Sequence, residues 1–133
     1  LRRSFQGQYY GPETNGAAMP VELRAFQSLK LWHDVHLELV HQGEDLSARQ
    51  MAILLTIYLE PPPHTVRGLA KKLGVTKPVI TRALDTMGKL DLVSRRRDEA
   101  DRRNVIIQRT VAGALAVERL GDIITARAKE LPL

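Results

Sequence analysis

With 133 residues, 44% of them apolar, and no cysteine, the chain is sized for one domain with a real core; a disulfide framework, a thiolate metal site and a thiol redox switch are excluded. The net charge of +5 is unevenly spread: between Thr65 and Thr110 twelve Lys or Arg stand against five acids, a local +7, so the remainder sums to −2. Basic charge gathered on a third of the molecule is the footprint of a polyanion binder, and aromatics at 5% are too few for the stacking platforms that hold single strands, so duplex DNA is the expected polyanion.

No apolar run approaches the roughly 20 residues needed to cross a bilayer, and Leu1-Arg2-Arg3 leads into polar residues rather than a signal segment. A cytoplasmic, nucleoid-associated location is the expectation. Residues 1–19 mix Gly7, Gly11, Pro12, Asn15 and Gly16 with polar side chains and no apolar period, and read as a flexible N-terminal arm. Residues 20–133 read as a single domain.

From Pro20 to about His41, Leu23, Phe26, Leu29, Trp32, His36 or Leu37 and Val40 recur at helical spacing, and Leu31, Val35 and Leu39 widen the stripe. A stripe that broad implies burial against the rest of the fold and against a second subunit. Ser47 with Gln50 three residues later forms a capping-box signature for a helix over 47–59, which Pro61, Pro62 and Pro63 stop. His64 reads as a short extended segment, Thr65 as the N-cap of a third helix with Val66, Leu69, Ala70 and Leu73 inward, and Gly74 as its end.

Thr76 is placed to cap the next helix, with Pro78 in its first turn where the missing N–H is harmless. Ile80, Ala83, Leu84 and Met87 turn to one side of it, Pro78, Thr81, Arg82, Asp85 and Lys89 to the other. Residues 92–97 and 104–109 read as two strands of a hairpin with 98–103 as its loop, and Thr110 as the cap of a last helix running to Pro132. In that helix Val111, Leu115, Val117 or Glu118, Ile123 or Ile124 and Leu131 carry the apolar pattern.

The pair of helices around Gly74-Val75-Thr76 has the form of a helix-turn-helix, in which the first helix braces a second that enters a major groove about 12 Å wide. Candidate DNA-binding residues on the second helix are Thr76, Lys77, Pro78, Val79, Thr81 and Arg82. Arg82 can grip guanine, Thr81 or Val79 can pack on a thymine methyl, and Thr76 suits a phosphate. In the hairpin the candidates are Arg95, Arg97, Arg102 and Arg103, with Arg102 and Arg103 best placed for a minor groove. Arg96 is sent to the opposite face by strand alternation. Asp98 and Asp101 are expected to shape the loop by accepting N–H bonds.

Leu69-Ala70, Leu73-Gly74-Val75, Ile80-Thr81-Arg82, Leu92-Val93, Asp98, Asp101-Arg102-Arg103, and Thr110 with Gly113 together resemble the winged-helix core of the MarR (multiple antibiotic resistance regulator) family. The resemblance implies a mainly α fold with a small β-hairpin wing, a winged helix-turn-helix. It further implies a transcription regulator that acts as a homodimer on duplex DNA and answers to a small-molecule effector. Thr76 to Asp85 would be the recognition helix, 65–109 the DNA-binding core, and 20–41 with 110–131 the dimerisation helices. Two features depart from the family pattern: Asp91 stands where glycine usually ends the recognition helix, and the chain after Thr110 is short for the two long helices with which the family builds its dimer.

His33, His36 and His41 share a helix, but nothing beside them makes a metal motif, and they read as surface or interface histidines. No nucleophile elbow, P-loop or dinucleotide-binding glycine pattern is present, so no enzyme activity, metal or cofactor is expected. Phe26, Trp32 and Tyr58 could line an effector pocket, although aromatics on a helical stripe are more often core. Two rival functions fit the same residues: a winged-helix protein-interaction module whose basic hairpin docks an acidic partner, and a sequence-indifferent chromosome-coating protein.

Overall fold

A computed structural model of the chain describes residues 23–42 and 45–132, so the arm expected at 1–19 lies outside the described residues. The order is α1 (Ala25–Gln42), α2 (Ala48–Leu59), β1 (His64–Thr65), α3 (Val66–Leu73), α4 (Lys77–Lys89), β2 (Val93–Arg97), β3 (Val105–Arg109) and α5 (Val111–Lys129). The described residues fall into two compact units, 46–117 and 23–45 with 118–132, and α5 runs from one into the other.

The first unit is built where local signals agree. Ser47 and Gln50 close a reciprocal capping box at the start of α2, with the Ser47 hydroxyl accepting the Gln50 N–H at 3.1 Å and the Gln50 side chain accepting the Ser47 N–H at 2.8 Å. Thr65 caps α3 by accepting the Gly68 N–H at 2.9 Å, and Gly74 ends it in the left-handed conformation at φ 68°. Thr76 occupies the N-cap position of α4 with extended backbone, but its side chain makes no capping bond. The expected cap is thus positional, and Pro78 in the first turn removes one of the N–H groups a cap would serve.

The two hairpin strands each begin one residue later than the sequence suggests, whereas the short extended segment begins at His64 as expected. The two residues of β1 pair with β3, giving an antiparallel sheet of order β1-β3-β2 in which His64 faces Ile107 and Arg95 also faces Ile107. Ile53, Ile57, Tyr58, Ile80, Leu84 and Met87 are fully buried and join Leu69, Ala70, Val93, Ile107, Ala114 and Val117 in one core. Each large apolar side chain there contributes about 1.5–3 kcal/mol by leaving water. Because α2, α3, α4 and the sheet all deliver side chains to that core, the angle between α3 and α4 is fixed by packing.

Tyr58 joins the hairpin to the start of α5. Its hydroxyl donates to the Leu92 carbonyl at 2.7 Å and accepts the Thr110 N–H at 3.0 Å. Gly113 passes directly against it: a Cβ there would overlap both the Tyr58 hydroxyl and the Leu92 carbonyl. Thr110 caps α5, its hydroxyl accepting the Gly113 N–H at 2.9 Å and donating to the Asp91 carbonyl at 2.7 Å. Asp91 itself takes the left-handed conformation, at φ 58°, in the place where the resemblance leads one to expect glycine; aspartate tolerates it better than most residues.

In the second unit Val35, Ile123 and Leu131 are buried, and the Gln27 side chain donates to the Pro132 carbonyl at 2.7 Å. The stripe on α1 is not covered by the described residues. Phe26 is 76% exposed and Trp32 65%, with Leu29, Leu37 and Val40 also exposed, so two of the three aromatics read as core are surface. The reason is the width of the stripe: one helical face can be covered from inside one chain, and the remaining apolar face stays outside. In α5 the inward positions include Ala114, Val117 and Ile123, whereas Val111, Leu115 and Ile124 are exposed.

Candidate nucleic-acid interface

Along α4 the 3.6-residue period separates the two faces cleanly. Ile80, Ala83, Leu84 and Met87 are buried, while Lys77, Pro78, Thr81, Arg82 and Asp85 are exposed and Val79 lies half-buried at the edge. Thr76 is exposed at the N-cap. The outward face therefore carries short polar groups near the helix start and cations on either side of them, a profile low enough to enter a groove.

The hairpin brings its arginines to different tasks. Arg95 reaches back to α4 and pairs with Asp85 at 2.8 Å, both partners partly exposed. Arg97 donates to the Arg102 carbonyl at 3.1 Å and so stiffens the base of the loop. Arg103 is held by Asp101, which accepts its backbone N–H and its Nε at 3.1 Å each. Arg102 is exposed, and its guanidinium makes no hydrogen bond or ion pair with the described residues. Arg96 lies with Pro62, Pro63 and Ile106 along a groove beside the sheet.

The loop carboxylates bond to their own backbone. Asp98 accepts the Ala100 N–H at 3.0 Å, and the Asp98 N–H donates to the Asn104 carbonyl at 3.0 Å, closing the loop. The Arg103 side chain and then its backbone N–H hold the Asp101 carboxyl below the ordinary carboxylate range. Asp101 thus stays charged and orients Arg103. Among the twelve cations counted in the basic third, Arg109 has a structural job that sequence reasoning missed. Its guanidinium donates to the carbonyls of Ile57 at 2.8 Å and Glu60 at 3.0 Å, at the end of α2, and lies over the Tyr58 ring. His64 beside it is buried and bonded to the Glu60 carbonyl; burial pushes its pKa below the ordinary value and so favours the neutral ring.

Asp85 was legible as an outward residue of α4 but not as the partner of Arg95, because the two lie on different elements and no local spacing relates them. The pair ties the outward helix to the hairpin, and at this exposure it contributes up to about 1 kcal/mol. It adds one polar link between the hairpin and α4 to the apolar packing of Val93 and Ile107 in the shared core. Among the described residues no cluster of three or more His, Cys, Asp or Glu is arranged to hold a metal ion.

Solved structures share this fold. The fold is similar to a mutant form of MepR from S. aureus, at TM-score 0.67 and 22% identity over 81% of each chain. It is also similar to reduced AbfR bound to DNA, at TM-score 0.61 and 25% identity over 81% of this chain and 72% of that one. A third similar structure is the transcriptional repressor CouR bound to a 23-mer DNA duplex, at TM-score 0.62 and 25% identity over 77% of this chain and 70% of that one. A comparison with curated proteins finds no match. Residues 46–105 match the model of the MarR family, a segment that holds α2, both helices of the helix-turn-helix, β2 and the loop of the hairpin; over that segment the chain is similar to the winged helix-turn-helix of that family.

Proposed function

We propose that this protein is a transcriptional regulator that binds duplex DNA as a homodimer, with α4 in the major groove and the Arg102 loop in the adjoining minor groove. One observation carries the reading: the Lys77, Thr81 and Arg82 side of α4 is exposed, and the hairpin is tied to that same helix through Arg95 and Asp85. In this reading Arg82 reads a base, Thr76 and Lys77 meet phosphate, and Arg102 enters the minor groove, where negative potential is concentrated. Arg95, Arg97 and Arg103, held by partners within the chain, position the loop and add positive charge to it. AbfR and CouR, both solved on DNA, support the choice of ligand.

Dimerisation falls to α1 and α5. Phe26, Leu29, Leu37 and Val40 recur on α1 at intervals that put them on one exposed face, and an apolar face of that kind is stabilised by burial against a second copy. Two copies about one DNA turn apart double the contacts and match a pseudo-palindromic site. A small-molecule effector enters the proposal as a regulator of DNA affinity; Tyr58 is not available to bind it, since its hydroxyl is fully engaged in the core. The work belongs in the cytoplasm, where the DNA is, and among the described residues no helix is long and apolar enough to cross a membrane.

The test is a salt titration of binding to labelled duplex DNA. Phosphate neutralisation predicts that the logarithm of affinity falls linearly with the logarithm of salt concentration, with a slope of about −0.9 per contact. Affinity that stays near the millimolar range for every duplex at low salt would refute the proposal and favour an acidic protein partner.

A further inference from the structure

We propose that Arg49, in the first turn of α2, is a DNA-backbone contact that grips the phosphate strand on the side of α4 away from the wing. The inference rests on α4 being the groove-entering helix and adds a residue that neither the helix-turn-helix nor the wing contains.

The two flanks of α4 are occupied differently. At about 100° per residue, Thr81, Asp85 and Gly88 fall toward one flank of the outward face, and Val79, Arg82 and Thr86 toward the other. Arg95 of the hairpin meets the first flank, through Asp85 and beside Gly88. The second flank forms a cleft with the start of α2, lined by Arg49, Gln50, Val79, Arg82 and Thr86 together with Ser47. A helix seated in a major groove has a phosphate backbone on each side of it. The wing attends to one of them, and the α2 start stands where the other would pass.

The chemistry of the cleft suits that strand. It holds two arginines and no acid. Neither the Arg49 nor the Arg82 guanidinium makes a hydrogen bond or ion pair with the described residues, and both side chains are exposed. The other polar groups there are already engaged: Ser47 and Gln50 in the capping box, and the Thr86 hydroxyl with the Arg82 carbonyl. A polyanion entering this cleft thus meets two unpaired cations, of which Arg82 leans toward the bases and Arg49 lies outside the groove-facing helix.

The experiment compares the unaltered protein, Arg49→Gln and Arg49→Lys in fluorescence-anisotropy titrations against two labelled duplexes of about 24 base pairs and unrelated sequence, from about 0.05 M to about 0.3 M salt. Loss of one phosphate contact makes the log-log slope shallower by about 0.9, which corresponds to about eightfold weaker binding at about 0.1 M and about fifteenfold at about 0.05 M. Arg49→Gln is expected to show that loss equally on both duplexes with an unchanged melting temperature, and Arg49→Lys to restore the slope. Unaltered affinity and slope in Arg49→Gln, while the unaltered protein binds with a steep slope, would overturn the inference and leave the proposed function standing. A loss confined to one duplex, or one accompanied by a lowered melting temperature that lysine does not rescue, would also overturn it. Absence of binding by the unaltered protein would instead remove the proposed function, and this contact with it.

Discussion

Replacing Tyr58 with Phe removes a single oxygen from the junction between the hairpin and α5 and leaves everything else about the ring in place. The ring is fully buried and stays so, and the Arg109 guanidinium 5.8 Å from its centroid keeps its aromatic partner. What is lost is specific. The Leu92 carbonyl loses its 2.7 Å donor, and the Thr110 N–H loses its 3.0 Å acceptor, whereas the Thr110 carbonyl retains the Ala114 N–H at 2.9 Å. A buried carbonyl and a part-buried N–H left without partners cost up to about 1–3 kcal/mol each, so with partial relaxation the variant should lose about 2–4 kcal/mol. Urea unfolding followed by circular dichroism measures this directly: the midpoint should fall while the denaturant slope stays constant, because the buried surface is unchanged. A loss below about 0.5 kcal/mol would refute the claim that this hydroxyl holds the hairpin to α5.

Two further outcomes follow from the geometry. Asp91 at φ 58° bears a conformational cost that glycine avoids, so Asp91→Gly should raise stability by about 0.5–1 kcal/mol in thermal melts; an unchanged or lowered melting temperature would contradict that reading. Replacing Arg102 and Arg103 together with Ala should weaken DNA binding most on sites with A·T-rich flanks, whose narrow minor groove concentrates negative potential, and loss without flank dependence would argue against minor-groove insertion.

The elements were legible where the sequence states its own boundaries. Ser47 with Gln50, Thr65, Gly74 and Pro78 mark helix ends through bonds or conformations that are local to a few residues, and the structure shows them in those places. The alternation of α4 into a buried and an exposed side followed from the 3.6-residue period alone. What stayed hidden involves partners remote in the chain. Arg109 was counted with the basic residues, yet its guanidinium serves carbonyls far earlier in the chain, and Asp85 looked like any outward acid until Arg95 was placed beside it.

Thr76 and the α1 stripe show two other limits. A threonine before a helix is a good cap by type, but whether its hydroxyl is used depends on a rotamer that composition does not determine. The period of α1 was clear and its covering was not, because periodicity identifies an apolar face without naming what lies against it. Phe26 and Trp32, at 76% and 65% exposure, carry that lesson.

The central claim is that α4 presents Arg82 to the edges of base pairs. It is tested most directly by measuring Arg82→Ala against a panel of duplexes in which each position of a selected site is varied in turn. The account predicts a loss of about 1–3 kcal/mol on the selected site and a relaxed preference at one base position per half-site. An even loss across the panel, with the preference at every position intact, would contradict it and favour sequence-indifferent coating of DNA.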